Sequence, residues 1–276
     1  MLAAGVNEEN EENQEIALSD GWPSVAGSVL VNGEVHRSTG PWTPAVHALL
    51  RHLERVGFEG SPRVLGFDDQ GREVLSWVQG EAPIAPWPAW MRADDTLRNL
   101  ALLLRRFHDA VAGWIPPEDA VWRRWLGSVG GPIIRHGDLW PSNVVFRSGR
   151  PVALIDWEFA QPGTFLDDVA SVAKHWVPLV SDEQAAAEGW DLPIDRVRRL
   201  RLLCDAYGVD HADRQALIPT VLRNSQNGYL SHKTWGEAGV AGFAEMWNDG
   251  SGAAILSDRA WLKGAQPELE SFASDG

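Results

Sequence analysis

Asp138, Asn143 and Asp156 are the residues of this chain whose types and spacing could do chemistry together. Asp138 and Asn143 stand in residues 136–143, His-Gly-Asp-Leu-Trp-Pro-Ser-Asn; Asp156 stands in residues 154–158, Leu-Ile-Asp-Trp-Glu. Two hydrophobic runs, Val-Val-Phe at 144–146 and Val-Ala-Leu-Ile at 152–155, flank a Ser-Gly-Arg-Pro turn at 148–151. That pattern predicts a β-hairpin. An antiparallel pair brings its two ends together, so the three polar side chains crowd one small space. Two carboxylates and an amide suit an oxygen-preferring cation such as Mg²⁺, with one carboxylate free to take a proton.

The elements that must position these groups fall into two kinds. From residue 28 to 78 the chain reads strand, strand, helix, strand, strand. Asn32-Gly33 is a hairpin turn signal between runs at 28–31 and 34–37. Thr43 and Pro44 predict a helix start, with Thr43 as its N-cap; Val46, Leu49, Leu50, Leu53 and Val56 make its apolar stripe, and Gly57 ends it. Strands at 63–67 and 72–78 follow. A proline-rich stretch at 79–90 reads as a linker. Beyond it helices dominate: 94–113, a short one at 120–126, then 167–176, 194–207, 213–227, 240–247 and 253–262. The expected organisation is an acidic, disordered tail at 1–18, a small β-rich lobe at 19–78 and a larger helical lobe at 79–276. A ligand cleft between the lobes is the default expectation.

Composition narrows the function. The chain has 276 residues, 44% of them hydrophobic, and a formal charge of −14. That charge argues against a nucleic-acid partner and is compatible with a cationic substrate. Glu8, Glu9, Glu11, Glu12, Glu15 and Asp20 supply −6 of it within the tail and its edge. No apolar run approaches 18 residues and no basic n-region opens the chain, so neither a membrane span nor a secretory signal is expected. The single cysteine, Cys204, excludes an internal disulfide and fits the cytoplasm. Of the fifteen Trp residues most are expected in the core, with Trp87, Trp90, Trp140 and Trp235 the candidates for lining a ligand site.

The motif His-Gly-Asp-x-x-x-x-Asn at 136–143, followed after a hairpin by Ile-Asp-Trp-Glu at 155–158, resembles the aminoglycoside phosphotransferase and choline kinase-like family, a branch of the protein-kinase-like fold. Leu-Arg-Arg-Phe-His at 104–108 is similar to the helix ahead of that family's catalytic loop, and Asp168-Val169-Ala170 to its next helix. The resemblance implies an α+β, bilobal protein-kinase-like fold with a small β-rich N-lobe and a larger helical C-lobe. It implies an ATP-dependent O-phosphotransferase, with GTP as the alternative donor. Asp138 would accept the substrate hydroxyl's proton, and Asn143 and Asp156 would hold Mg²⁺. The backbone at Ser76, Trp77 and Val78 would meet the adenine. His136 would shape the loop, and Asp168 would cap its helix. The acceptor would be a hydroxyl of a small molecule, an aminoglycoside-like cationic antibiotic among the options, which would make antibiotic resistance the biological role. A biosynthetic kinase of another metabolite or of a peptide Ser/Thr, and a nucleotide-binding pseudokinase with little turnover, are the alternatives.

The N-lobe departs from the family pattern. The family carries a strand lysine on the phosphates, paired with a glutamate on the next helix. Here the strand reads Val35-His36-Arg37, and no acid lies between Pro41 and Arg51; His47 stands nearer the glutamate's place than Glu54. Arg37 is therefore the expected phosphate contact, bidentate where lysine is a point charge. Residues 21–27 are a weak match to the glycine-rich phosphate cover.

Overall fold

The N-lobe is built on two tight turns and one amphipathic helix. The structure, a computed structural model, describes residues 15–18 and 27–274. The glycine-rich stretch read as a phosphate cover lies outside the described residues, apart from Gly27. Asn32 and Gly33 have φ of 51° and 80°, the left-handed pair that a two-residue hairpin needs. They join β2 (Val29–Val31) to β3 (Glu34–Arg37). A short β1 (Ile16–Ala17), at the end of the stretch read as tail, pairs with β2. With β4 (Val64–Phe67) and β5 (Glu73–Ser76) they form a five-stranded antiparallel sheet in the order β1-β2-β3-β5-β4.

Helix α1 (Thr43–Arg55) lies between β3 and β4. Leu49, Leu50 and Leu53 are at most 1% exposed, each worth about 1.5–3 kcal/mol of transfer free energy. The N-cap is Trp42, not Thr43: Thr43 is already helical, and its hydroxyl accepts from the Gly40 amide at 2.9 Å. Pro44 sits in the first turn as expected.

The C-lobe begins with α2 (Asp94–Val111). Next come β6 (Ile133–Arg135), the hairpin β7 (Val144–Arg147) and β8 (Arg150–Leu154), and β9 (Gln161–Gly163), which pairs with β6. Ser148 and Gly149 make the hairpin turn with φ of 51° and 72°. The remaining helices are α3 (Phe165–Trp176), α4 (Asp182–Ala187), α5 (Arg196–Tyr207), α6 (His211–Glu237), α7 (Phe243–Asn248) and α8 (Ser251–Glu270). Helix α2 packs on α5, and α6 on α3, α7 and α8. No helix of the described residues is long and apolar enough to cross a membrane.

The C-lobe departs from the expected helices at several places. Residues 120–126 are not helical; Arg123 and Trp125 are drawn instead to Glu158 and the Gly137 carbonyl at the two ends of the 136–158 hairpin. Helix α6 continues ten residues past its expected end at Asn227, through Gly228, because Ser231 and the turns beyond it pack on the loop before β6. Helix α4 was not anticipated; Ser181 caps it by accepting from the Gln184 amide.

The lobes join at the segment after β5. Glu81 and Phe146 exchange backbone hydrogen bonds, Glu81 N to Phe146 O at 2.9 Å and Phe146 N to Glu81 O at 2.8 Å. Gly80 makes that approach possible, since a Cβ there would stand 2.4 Å from the Phe146 carbonyl oxygen.

Candidate active site

The loop between β6 and β7 is held by its backbone. Asp168, in the first turn of α3, is fully buried and accepts from the His136 amide at 2.7 Å and the Gly137 amide at 3.0 Å. His108 of α2 sits 3.1 Å from the same carboxylate and 2.7 Å from the Tyr207 hydroxyl. Burial alone would raise the Asp168 pKa; the His108 hydrogen bond and charge outweigh it and hold the carboxylate ionised. The capping role expected of Asp168 falls instead to Asp167, whose Oδ2 accepts from the Thr164 amide and hydroxyl at 2.9 Å each. Evenly spaced carboxylates at the start of a helix do not reveal which one turns outward.

His136 is buried and braces the loop from inside. Its Nε2 donates to the Ile155 carbonyl at 3.0 Å, and Nδ1 accepts from the Asp138 amide at 3.3 Å. Both bonds need the neutral ring protonated on Nε2, and burial lowers its pKa. The strand-derived ends of the hairpin meet as the sequence predicts: Ile155 N donates to Asn143 O at 2.9 Å.

Asp138 and Asn143 touch. Asn143 Nδ2 donates to the Asp138 carbonyl at 2.9 Å and to Asp138 Oδ2 at 3.1 Å. That orientation leaves the amide oxygen of Asn143 as an acceptor. Burial, followed by the charges of Asp156 and Glu158, pushes Asp138 well above the usual carboxylate range.

Asp156 follows β8 in the left-handed conformation, φ 60°, which Asp tolerates better than most residues. Its Oδ1 accepts from Arg37 Nη1 at 2.9 Å. Arg37 reaches across from β3 and is almost wholly buried. Its Nη2 lies 3.5 Å from Glu158, and its Nε lies 2.8 Å from Glu73 Oε1 without hydrogen-bond alignment. Glu73 Oε2 in turn accepts from His47 Nε2 at 2.7 Å.

Glu158 is also bound by Arg123, Nη1 to Oε1 at 2.7 Å. Arg123, like Glu73, is a residue that sequence reasoning missed. Its guanidinium lies 4.5 Å from the Phe159 ring centroid and 4.6 Å from that of Trp42, with Trp235 and Phe243 closing the box. The Trp-Arg-Arg-Trp run at 122–125 is its only sequence signal. Burial, then the Asp156 charge, raises the Glu158 pKa to about 7 against the pull of both arginines.

The other sequence candidates lie further off. Ser76 ends β5, three residues along the strand from Glu73, roughly 10 Å. Its hydroxyl accepts from the Arg63 amide at 2.8 Å, and its amide donates to the Arg63 carbonyl. Trp77 is exposed and Val78 half-buried. Among the tryptophans, Trp140 lies tilted against His175, ring centroids 4.0 Å apart, beside the loop, and Trp235 joins the Arg123 box. Trp90 packs on Phe146, and Trp87 belongs to the core.

A five-stranded sheet joined by one hinge to a helical lobe that carries this loop and hairpin defines a kinase-like phosphotransferase fold. Residues 118–200 match the family model described as "Phosphotransferase enzyme family". A curated relative, the trifolitoxin immunity protein of Rhizobium leguminosarum bv. trifolii, is 38% identical over 215 residues, covering 76% of this chain and 80% of the relative. The chain belongs to the phosphotransferase (APH) family. Solved structures agree on the fold. A choline/ethanolamine kinase family protein from Mesorhizobium loti aligns with a TM-score of 0.60 at 15% identity, covering 96% of this chain and 93% of that one. An aminoglycoside phosphotransferase solved with GDP and kanamycin gives 0.54 at 18% identity, covering 97% and 95%. Plasmodium vivax ethanolamine kinase gives 0.55 at 10% identity, covering 97% and 84%.

Proposed function

We propose that this protein is a Mg²⁺-dependent O-phosphotransferase that moves the γ-phosphate of ATP to a hydroxyl of a small molecule. The observation that carries this reading is the convergence of Asp138, Asn143 and Asp156 at one end of a hairpin, with Arg37 facing them from the other lobe. Asp138 takes the acceptor's proton as the hydroxyl attacks. Its partner Asn143 fixes the carboxylate, so the base is aimed before substrate arrives. Arg37 grips phosphate, and the backbone of Ser76, Trp77 and Val78 meets the purine of ATP or GTP.

The donor set suits the ion. Asn143 and Asp156 offer an amide and a carboxylate oxygen, hard ligands of the kind Mg²⁺ takes. Four carboxylates (Glu73, Asp138, Asp156 and Glu158) face two guanidiniums; burial first, and then the neighbouring negative charges, raise the pKa values of Asp138 and Glu158. When bound there, Mg²⁺ would offset that excess of negative charge and the charge on the phosphates.

The acceptor is a hydroxyl-bearing toxic compound, so that phosphorylation confers immunity. The relative whose name records toxin immunity, 38% identical to this chain, supports that reading. The kanamycin complex of a fold relative and the acidic composition of this chain favour a cationic acceptor, an aminoglycoside-like antibiotic among them. A peptide Ser/Thr hydroxyl is the second reading, and a metabolite kinase the third. The buried Cys204 fits a cytoplasmic enzyme.

The test is γ-phosphate transfer from labelled ATP and GTP to a panel of hydroxyl-bearing antibiotics, peptides and metabolites. Transfer that needs Mg²⁺ and is lost in Asp138→Ala is expected. Nucleotide binding without transfer to any acceptor would make the protein a pseudokinase. Turnover on a cationic acceptor should fall with added salt through screening; a salt-independent rate points to a neutral or anionic one.

A further inference from the structure

We infer that Glu73, seated by His47, is the positioning residue that aims Arg37 at the nucleotide phosphates, in place of the helix glutamate that partners a strand lysine; this rests on the phosphotransferase reading above. Arg37 and Glu73 are direct register partners across β3 and β5. Both side chains are under a tenth exposed. Glu73 holds one oxygen 2.8 Å from Arg37 Nε as an ion pair and accepts with the other from His47 Nε2, which reaches in from α1. His47 is itself backed by Phe67 of β4, ring to ring at 5.2 Å. Four elements of the N-lobe thus fix one guanidinium.

The division of the guanidinium's edges gives this arrangement its purpose. The N-lobe anchors Arg37 at Nε. The two terminal nitrogens are left facing the cleft, where they meet Asp156 and Glu158. Those terminal nitrogens form the fork that binds phosphate oxygens bidentately. A lysine has one head group and can be steadied from behind by a helix. An arginine is steered by holding its Nε side, and the neighbouring strand, not α1, is where that side faces. The carboxylate therefore moves to β5, and α1 contributes a histidine to hold the carboxylate. A purely structural ion pair would need no such asymmetry.

The experiment is calorimetric titration of the full-length protein with Mg·ATP and with adenosine, with melting temperature as a fold check. Glu73→Gln should weaken ATP about tenfold, the scale of one charge-assisted contact, and leave adenosine affinity unchanged. In an Arg37→Met background the same change should cost nothing further. Equal weakening of ATP and adenosine, additive losses in the double variant, or unchanged ATP affinity would each overturn the inference. If Glu73→Gln melts too low to titrate, His47→Gln is expected to weaken ATP about threefold and adenosine not at all; unchanged ATP affinity there overturns it equally. Wild-type protein that binds neither Mg·ATP nor Mg·GTP overturns the phosphotransferase reading and this inference with it, whereas wild-type nucleotide binding with an indifferent Glu73→Gln overturns this inference alone.

Discussion

The two walls of the cleft are held by different forces. On the C-lobe side, Asp168 fixes the His136 and Gly137 amides, His136 grips the Ile155 carbonyl, and Asn143 binds the Asp138 carbonyl. Every one of these contacts engages main chain, so the wall's shape is set by backbone geometry. Opposite it, His47, Glu73 and Arg37 of the N-lobe meet Glu158 and Arg123 of the C-lobe side chain to side chain. Such a chain of charges can be rebuilt from different residue types provided the charges still alternate. That contrast is the physical basis for the proposal that Arg37 and Glu73 stand in for a strand lysine and its glutamate opposite an unchanged loop.

Experiments can break that contrast or sharpen it. The largest effect is expected from Asp138→Ala, which should lower phosphoryl transfer about 10²–10⁴-fold, the usual contribution of a general base, while Mg·ATP still binds; retained transfer would remove the C-lobe wall from the chemistry. Next comes Asp168→Ala. It strands two buried amides and the His108 pair, and an equilibrium denaturation curve should show a loss of about 3–5 kcal/mol. A loss under 1 kcal/mol would mean that the loop does not depend on its backbone anchor.

Arg123→Met should follow at about 3 kcal/mol, because Glu158 loses its nearer partner inside the protein. Its loss should shrink in a Glu158→Gln background, since side-chain networks are non-additive. Strict additivity would show that Arg123 and Glu158 stabilise the fold independently.

The smallest effect concerns pH. Burial lowers the His232 pKa to about 4. The unfolded chain binds this proton near pH 6.5 and the folded chain only near 4, so stability is full above 6.5 and falls as the pH drops towards 4. Between pH 7 and 5 that amounts to about 2 kcal/mol, and His232→Leu should flatten the change in melting temperature over that range.

Legibility in the sequence follows the same contrast. The hairpin and its three polar residues could be read directly because they lie within 21 residues and the alternation of strands fixes their faces. Arg37 stood out as the cation in the lysine's place. Its partner Glu73 did not, because β3 pairs with β5 across an intervening helix and strand, and that register leaves no mark on either segment. Arg123 was hidden for a related reason: residues 120–126 have helical spacing, but Glu158 and an aromatic box decide their conformation from a distance. Asp168 was seen and given a local role, since capping is the commonest use of an acid at that position. Its actual partners, two amides of another loop, are non-local. Local chemistry is spelled in the chain; charge networks between elements are written only in the fold.

The bond pair between Glu81 and Phe146 has a mechanical consequence. Residue 81 is riveted to the hairpin strand that follows the loop bearing Asp138 and Asn143, and Gly80 allows no spacer between the two backbones. The other strand of the hairpin is tied as well, its Leu154 amide donating to the Gly60 carbonyl at 2.9 Å. Both strands are thus moored outside the helical lobe's own elements, one to the joining segment at residue 81 and one to the N-lobe at residue 60, so the hairpin serves as a splice between the two halves of the molecule.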